Sequence, residues 1–147
     1  MWLRRWIDDQ QLPLGVGIDL VCVSELKALD ERLNGVFVQR TFTEKEQAEA
    51  AAAPDFWVYL AGRFAVKEAV FKALAHLIPE KTFDFRRVET LSAPDGSPHV
   101  SLTPPLTDWM HSAGADQVLV SISNQGDYAV ALAQVSREPL NKSGYGV

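Results

Sequence analysis

The sequence predicts an α+β fold in which a small antiparallel sheet packs against one long helix and several shorter helices. Three features lead to this prediction: an apolar strand pattern near the start, helical patterns up to about residue 77, and mostly strand-like alternation after them. The chain has 147 residues, of which 47% are hydrophobic, and both values are typical of one globular domain. We find neither an internal repeat nor a linker, so we expect a single domain.

The first strand and the first helix follow from local patterns. Residues 14–23 are apolar and rich in Val and Ile, with Gly15 and Gly17 near the start. This pattern predicts a strand that passes close to another backbone or to a ligand. Ser24 can cap a helix that runs through Leu33, because its side chain can accept a hydrogen bond from a free backbone N–H at the helix start.

Two further helices are predicted from their capping residues. Thr43 and Glu46 form the capping-box pattern of a short helix that ends near Ala53. Asp55 caps the longest helix, which we predict from Phe56 to about Leu77. This helix would be about 33 Å long, enough to cross the whole domain.

The second half of the chain alternates between polar and apolar residues. A period of two predicts strands, and turn-forming residues mark the points where two hairpins reverse. The predicted strands are 85–91, 99–102, 117–123 and 128–135, and a short helix opens at Pro104-Pro105 and runs to about Ser112. These strands would form the small antiparallel sheet.

Charge and cysteine content argue against several classes of protein. The chain carries 14 basic and 19 acidic residues, a formal net charge of −5, so a nucleic acid or an anionic membrane would repel it. Cys22 is the single cysteine, which makes an intramolecular disulfide impossible. The apolar stretch after Arg4 and Arg5 stops at Asp8 and Asp9, so it lacks the long core of a signal peptide. We therefore expect a cytoplasmic protein without a membrane span.

The long helix carries four charged residues that could take part in chemistry. Glu68 and Lys72 lie on one face among small and apolar residues, and Arg63 and Lys67 lie on a neighbouring face. A ligand could approach the first face closely. The alternative is that Glu68 and Lys72 form an ordinary surface pair, worth about 0.2–0.5 kcal/mol. Spacing alone favours the surface pair.

Asp19 lies inside the first strand, between Ile18 and Leu20. A charged carboxylate in an apolar strand costs free energy unless a cation or several donors meet it. Asp19 and the helical Glu68 could together hold Mg²⁺, which prefers few carboxylates together with water and phosphate oxygens. The alternative is that Asp19 faces solvent, because alternation places it opposite its neighbours. The pattern leaves both alternatives open.

Five segments of the chain, taken in order, form one set of motifs. They are GVGID at 15–19, FTEKE at 42–46, LAGRFAVKEAVFKAL at 60–74, GSP at 96–98 and VSISN at 120–124. The set resembles the holo-acyl-carrier-protein synthases, the small type of 4′-phosphopantetheinyl transferase, and its long-helix segment is highly specific. The resemblance implies the 4′-phosphopantetheinyl transferase fold for residues 14–136, with an N-terminal extension at 1–13 and a flexible tail at 137–147.

The resemblance implies a transferase. Members of this family move the phosphopantetheine arm of coenzyme A onto a serine of an apo-acyl carrier protein and release adenosine 3′,5′-bisphosphate. Asp19 and Glu68 match the family's Mg²⁺ ligands, and Lys72 would stabilise the leaving phosphate. The general base would be Glu68 or a metal-held water. The implied catalytic residues are therefore Glu68 and Lys72.

The resemblance also implies partners and a binding site. The partners are coenzyme A, an acyl carrier protein and further copies of the chain, since single-domain members are typically homotrimers with active sites between subunits. The residues matched to coenzyme A binding are Arg63, Lys67, Lys72, Gly96, Pro98 and Asn124.

Two places depart from the family pattern. The last segment usually ends in a histidine that helps to hold the nucleotide phosphates; Asn124 stands there instead, and its amide carries no charge. After the metal-binding Asp, the family usually has a Glu and then an Arg that grips the acidic carrier, whereas here these positions hold Cys22 and Glu25. We expect weaker coenzyme A binding, and either another carrier or contacts through other basic residues such as Lys27, Arg32 and Arg40.

Two other functions compete with the transferase. Asn124 and Glu25 motivate a non-catalytic module that binds coenzyme A, whereas the intact set of Asp19, Glu68 and Lys72 weighs against it. A trimeric structural protein would need neither carboxylate. The leading hypothesis is the Mg²⁺-dependent transferase.

Overall fold

The computed structural model describes residues 13–79 and 84–138, and these form an α+β fold. The strands of this part are β1 (Pro13–Cys22), β2 (Thr90–Ser92), β3 (Pro98–Val100), β4 (Gln117–Gln125) and β5 (Tyr128–Ser136). Its α-helices are α1 (Val23–Arg32), α2 (Val36–Thr41), α3 (Glu44–Ala52), α4 (Phe56–Leu74) and α5 (Leu106–Ser112). The predicted fold class is confirmed.

The larger sheet has three antiparallel strands in the order β1–β5–β4. The central strand is β5, whose Ala131 pairs with Asp19 on one side and with Ile122 on the other. Strands β2 and β3 form a separate antiparallel hairpin, and β3 contacts β4. The last described strand thus joins the first strand and β4 into one sheet.

Helix α4 packs directly against the backbone of β1, because β1 carries glycines where the two meet. A Cβ atom added at Gly17 would lie 1.8 Å from the carbonyl oxygen of Ala69, and one added at Gly15 would lie 2.0 Å from that of Ala73. No side chain fits into this space, so the predicted close approach of β1 is to another backbone. The contact brings the helix-facing residues of β1 next to α4.

The core surrounds α4. The three-stranded sheet covers one side of the helix, and α1, α3 and β2 contact other sides, so its sequence can be apolar nearly all round. Its start is as predicted: the carboxylate of Asp55 accepts hydrogen bonds from the backbone N–H groups of Trp57 and Val58. The helix ends at Leu74, three residues before the predicted end, and residues 75–77 form a turn.

Sequence patterns do not predict the short helix α2. No side chain caps its start, where Gly35 has a φ of +80°. The helix is held by contacts with other elements instead. The carboxylate of Asp30 accepts a hydrogen bond from the backbone N–H of Val38, and the ring of Phe37 packs edge-on against that of Phe64 in α4.

The prediction of a strand over 85–91 is wrong in its first half. Residues Phe85–Arg87 form a 3-10 turn, and the strand is confined to Thr90–Ser92. The ammonium of Lys67 donates to the carbonyls of Phe85 and Val88, each over 2.8 Å, which removes both acceptors from a β ladder. Lys67 lies 18 and 21 positions away from these residues, so the local pattern carries no sign of the contact.

Of the other two predicted caps, one is confirmed and one is wrong. Thr43 and Glu46 form the predicted capping box at α3. Ser24 does not cap α1: it lies in the first turn, after Cys22, and its hydroxyl donates to the carboxylate of Asp127. That carboxylate also accepts the backbone N–H of Ser24 over 3.0 Å, so a side chain from the β4–β5 turn satisfies the helix start.

Residues 1–12 and 139–147 lie outside the described residues. Nearly all of the predicted extension and of the predicted tail falls there, although Pro13 already belongs to β1, and the domain boundaries stay predictions. Within 13–79 and 84–138, no helix is long and apolar enough to cross a membrane.

Candidate active site

Alternation along β1 places Asp19 on the side of the sheet that faces α4. Gly17 and Val21 point to the same side and are buried, whereas Ile18 and Leu20 are 59% and 64% exposed. The strand therefore presents its large apolar side chains to solvent and its carboxylate to the helix. The alternative that Asp19 faces solvent is wrong.

Lys72 bridges the helix and the strand. Its Nζ donates to Oδ1 of Asp19 over 2.7 Å and to the backbone carbonyl of Ile18 over 3.0 Å. The hydrogen bond to Asp19 raises the pKa of Lys72, so the ammonium stays charged. In the described part of the chain, the ion-pair partner of Lys72 is therefore Asp19, not Glu68. The third donor of the ammonium remains for a ligand.

Glu68 lies one helical turn before Lys72 and is partly buried. Burial raises the pKa of its carboxyl group, the negative charge of Asp19 raises it further, and the positive charge of Lys72 acts in the opposite direction. Two carboxylates from different elements are thus close enough to repel each other. A cation placed between them would remove this repulsion.

The chemistry of Asp19 and Glu68 fits Mg²⁺. Across residues 13–79 and 84–138, no group of three or more His, Cys, Asp or Glu side chains is placed so that it could hold a metal ion. Mg²⁺ is commonly held by one or two carboxylates, with water and substrate phosphate oxygens in the other positions. Two carboxylates leave those positions open for a phosphorylated substrate.

A second part of the site is a groove of about 640 Å³, which we call the Arg63 groove. Three residues that were predicted to bind coenzyme A line it: Arg63 of α4, Gly96 of the turn between β2 and β3, and Asn124 of β4. Pro98 lies in β3 and is not part of the lining. The fold thus brings together three residues that are far apart in the sequence.

Arg63 is the cation of this groove and is held from two sides. Its Nη2 donates to the hydroxyl of Ser92 over 2.8 Å, and its Cζ lies 4.2 Å from the centroid of the Tyr59 ring, in a cation–π contact. The side chain is buried, and its Nε has no hydrogen-bond partner among the described residues. A buried donor without a partner costs free energy. No carboxylate of the described residues forms an ion pair with this guanidinium.

Lys67 does not reach the Arg63 groove. Its ammonium is fully buried and lies 2.8 Å from Oε1 of Glu46, besides its bonds to the carbonyls of Phe85 and Val88. All three donors are therefore used inside the protein, and burial lowers the pKa of Lys67. We leave Lys67 out of the coenzyme A site that its place in the long-helix segment implied. Its observed contacts connect α3 and α4 to residues 85–88.

Sequence reasoning missed three residues of the groove, namely Glu49, Tyr59 and Ser92. The hydroxyl of Tyr59 donates to Oε2 of Glu49, and the backbone N–H of Ser92 donates to the same oxygen over 3.0 Å. In the sequence, Glu49 is one more acidic residue on a short polar helix. No local spacing relates it to a tyrosine in the next helix, so these contacts follow only from the fold.

Comparison with known proteins assigns the chain to a family. A model of the 4′-phosphopantetheinyl transferase superfamily matches residues 15–133, which is most of the chain. The chain belongs to this superfamily. The resemblance carried by the five sequence segments is thereby confirmed, and the protein is an enzyme.

Similar proteins narrow this assignment to one branch of the superfamily. A holo-[acyl-carrier-protein] synthase of Desulforudis audaxviator is 38% identical over 120 residues, which cover 82% of this chain and 90% of the relative. The crystal structure of holo-[acyl-carrier-protein] synthase from Neisseria meningitidis matches with a TM-score of 0.75 at 28% identity, covering 84% of this chain and 98% of that one. A Chronobacterium ammoniagenes ACPS–CoA complex matches with a TM-score of 0.73 at 27% identity, covering 84% and 96%. The chain groups with the holo-[acyl-carrier-protein] synthases.

Proposed function

We propose that the protein transfers the 4′-phosphopantetheine group of coenzyme A to a serine of an apo-acyl carrier protein and releases adenosine 3′,5′-bisphosphate, in a Mg²⁺-dependent reaction. The observation that carries the proposal is the meeting of Asp19, Glu68 and Lys72 between β1 and α4. The names of the similar proteins, a holo-[acyl-carrier-protein] synthase and an ACPS–CoA complex, support this choice of substrates.

Asp19 and Glu68 would hold Mg²⁺, which supplies charge neutralisation at the diphosphate when it is bound. Glu68 has a second task in the proposed reaction, that of the general base. Glu68, or a water molecule that it orients, would take the proton of the attacking serine.

Lys72 would stabilise the charge that moves to the leaving group. In the proposed step, the serine oxygen forms a bond to the phosphorus next to pantetheine. The bond from this phosphorus to the bridging oxygen of the diphosphate breaks, and adenosine 3′,5′-bisphosphate leaves with the electron pair. Lys72 keeps one N–H donor free after its two bonds to β1, and this donor can meet the leaving oxygen.

The Arg63 groove would receive the nucleotide part of coenzyme A. Arg63 offers a guanidinium that forms no ion pair with a carboxylate of the described residues, and Gly96 and Asn124 line the same groove. The amide of Asn124 can donate to a phosphate oxygen but adds no positive charge. We therefore assign the main electrostatic part of nucleotide binding to Arg63.

A smaller depression of about 300 Å³ adjoins Asp19 and would receive the carrier serine. Glu25 and Arg32 of α1 both line it, and both side chains are exposed. Glu25 would repel an acidic carrier, whereas Arg32 would attract it. The carrier that fits this chain therefore directs its acidic residues to Arg32 and keeps them away from Glu25.

The outer face of the three-stranded sheet would be the contact between copies of the chain in a homotrimer. Its side chains point away from α4, and six of them are large, apolar and between 45% and 64% exposed: Val16, Ile18, Leu20, Leu119, Tyr128 and Leu132. Exposed apolar residues that cluster on one face are typical of a protein–protein contact. The proposed trimer would bury this face.

The intact mass of a purified apo-acyl carrier protein tests the proposed reaction. After incubation with the protein, coenzyme A and Mg²⁺, we expect a mass gain of one phosphopantetheine. We expect no gain when EDTA is added or when coenzyme A is left out. The absence of any gain on a panel of apo-carriers, with Mg²⁺ present, would contradict the proposal.

A non-catalytic module that binds coenzyme A is the second candidate, and the uncharged Asn124 in the groove favours it. Such a module would have no use for two carboxylates and a lysine gathered next to each other at Asp19. It predicts that coenzyme A binds, as measured by calorimetry, while no carrier gains mass.

A further inference from the structure

The Arg63 groove has more negative than positive charge in its described lining. Its charged residues are Glu49, Asp55 and Arg63. Asp55 is engaged elsewhere, because its carboxylate caps α4 through bonds of 2.9 and 3.0 Å to two backbone N–H groups. The affinity of the groove for an anion therefore depends on what Glu49 does with its charge.

Tyr59 lies between Glu49 and Arg63 and contacts both. Its hydroxyl donates to Oε2 of Glu49, while its ring face lies under the guanidinium of Arg63 at 4.2 Å. Ser92 repeats this arrangement: its backbone N–H donates to Glu49, and its hydroxyl accepts from Arg63. Among the described residues, Glu49 and Arg63 form no ion pair with each other, although both line the groove.

We propose that Tyr59 is a positioning residue that keeps the carboxylate of Glu49 away from Arg63, so that the guanidinium stays available for a phosphate group of coenzyme A. The inference rests on the proposed function. It explains how a groove with more negative than positive charge can bind a polyanion. The unpartnered Nε of Arg63 agrees with a cation that is held ready rather than neutralised. Burial and the bond to Glu49 raise the pKa of Tyr59, so the phenol keeps the proton that it donates.

The variant Tyr59→Phe separates this role from simple packing. It keeps the ring face under Arg63 and removes the hydroxyl that engages Glu49. The carboxylate then keeps the N–H of Ser92 but loses its tyrosine partner, so it can turn towards Arg63. We expect the KM for coenzyme A and the Kd from calorimetry to rise about tenfold, the size of one charge-assisted hydrogen bond, while kcat changes less than about twofold.

The second change is Glu49→Gln in the Tyr59→Phe background. A neutral amide cannot neutralise Arg63, so this double variant should recover the wild-type KM and Kd. Glu44→Gln, an exposed position on the same helix α3, is the matched control and should not rescue Tyr59→Phe. A role of Tyr59 in stability alone would lower kcat and the melting temperature, and Glu49→Gln would not correct either.

The outcomes distinguish a failure of the proposed function from a failure of the positioning role of Tyr59. If the wild-type protein binds no coenzyme A, the proposed function is overturned together with this inference. If the wild type binds and transfers, but Tyr59→Phe has an unchanged KM or Glu49→Gln fails to rescue it, the positioning role of Tyr59 is overturned and the proposed function stands.

Discussion

At the scale of single residues, the candidate site depends on how the charges of β1 and α4 pair. The spacing of Glu68 and Lys72 favours a pair on one helix, but Lys72 bonds to Asp19 of the neighbouring strand instead. The sequence identifies these three residues and does not predict their pairing. That pairing depends on how closely β1 packs against α4, which is a property of the tertiary structure.

The raised pKa of Glu68 predicts that this residue costs stability. The carboxyl group has a higher pKa in the folded protein than its ordinary value of 4.5. Its ionisation therefore costs more free energy in the folded state than in the unfolded chain. The stability of the wild type therefore falls as the pH rises through the window from 4.5 to the folded pKa. We expect Glu68→Gln to raise the free energy of unfolding in urea at pH 7, without Mg²⁺, by up to about 1 kcal/mol.

The same comparison at pH 4 supplies the control. There Glu68 is mostly protonated in both states, so the variant and the wild type should have nearly equal stability. Glu44→Gln removes an exposed carboxylate from the first turn of α3, where its charge is favourable to the helix, so this control should lower and not raise the stability at pH 7. A loss of stability in Glu68→Gln at pH 7 would contradict the electrostatic account of this residue.

At the scale of elements, two of the three predicted side-chain caps were correct, whereas contacts between distant residues were not predictable. The starts of α3 and α4 follow from Thr43 and Asp55, because a cap acts within three residues of itself. The 3-10 turn at Phe85–Arg87 depends on Lys67, a buried residue of α4 that takes the carbonyls of this segment. A strand pattern can thus be overridden by a side chain that lies in another element.

The contact of β1 with α4 makes Gly17 a sensitive position. A methyl group there would lie 1.8 Å from the carbonyl oxygen of Ala69, so the strand and the helix would have to separate. We expect Gly17→Ala to lower the free energy of unfolding by at least about 3 kcal/mol in urea.

Gly62→Ala is a matched control for this substitution. Gly62 is also buried at the sheet, but its added Cβ would meet the side chain of Ile122 at 3.2 Å, and alanine favours the helix. Its effect should stay within about 1 kcal/mol. Equal effects of the two substitutions would show that the backbone contact does not determine the packing of β1 on α4.

At the scale of the whole molecule, the exposed face of the sheet predicts assembly. Leu20 is the most exposed of its large apolar residues, at 64%. A charge within an apolar contact is costly to bury. Leu20→Glu should therefore reduce the molar mass, measured by light scattering after size-exclusion chromatography, from that of three chains to that of one. Lys45→Glu, on the exposed side of α3, should leave the trimer intact. A monomeric wild type would contradict the proposed trimer.

The positions of the site residues along the chain explain which of them the sequence predicts. The long-helix segment supplies Arg63, Glu68 and Lys72 within three turns, so one motif indicates them together. Other parts of the wall of the Arg63 groove come from α3 and β2, through Glu49 and Ser92. These two residues line the same groove as Arg63 only because the β2–β3 hairpin packs beside α3 and α4, and no pattern along the chain carries that information.

The initial rate of phosphopantetheine transfer to an apo-carrier, followed by intact mass, tests the central claim that Asp19, Glu68 and Lys72 perform the reaction. We compare the wild type with Asp19→Asn and Lys72→Met, and use Lys45→Met as the control at an exposed lysine. The account predicts that both site variants, folded by circular dichroism, lose at least about 100-fold in rate while the control does not. Transfer at the wild-type rate by either folded site variant would contradict it.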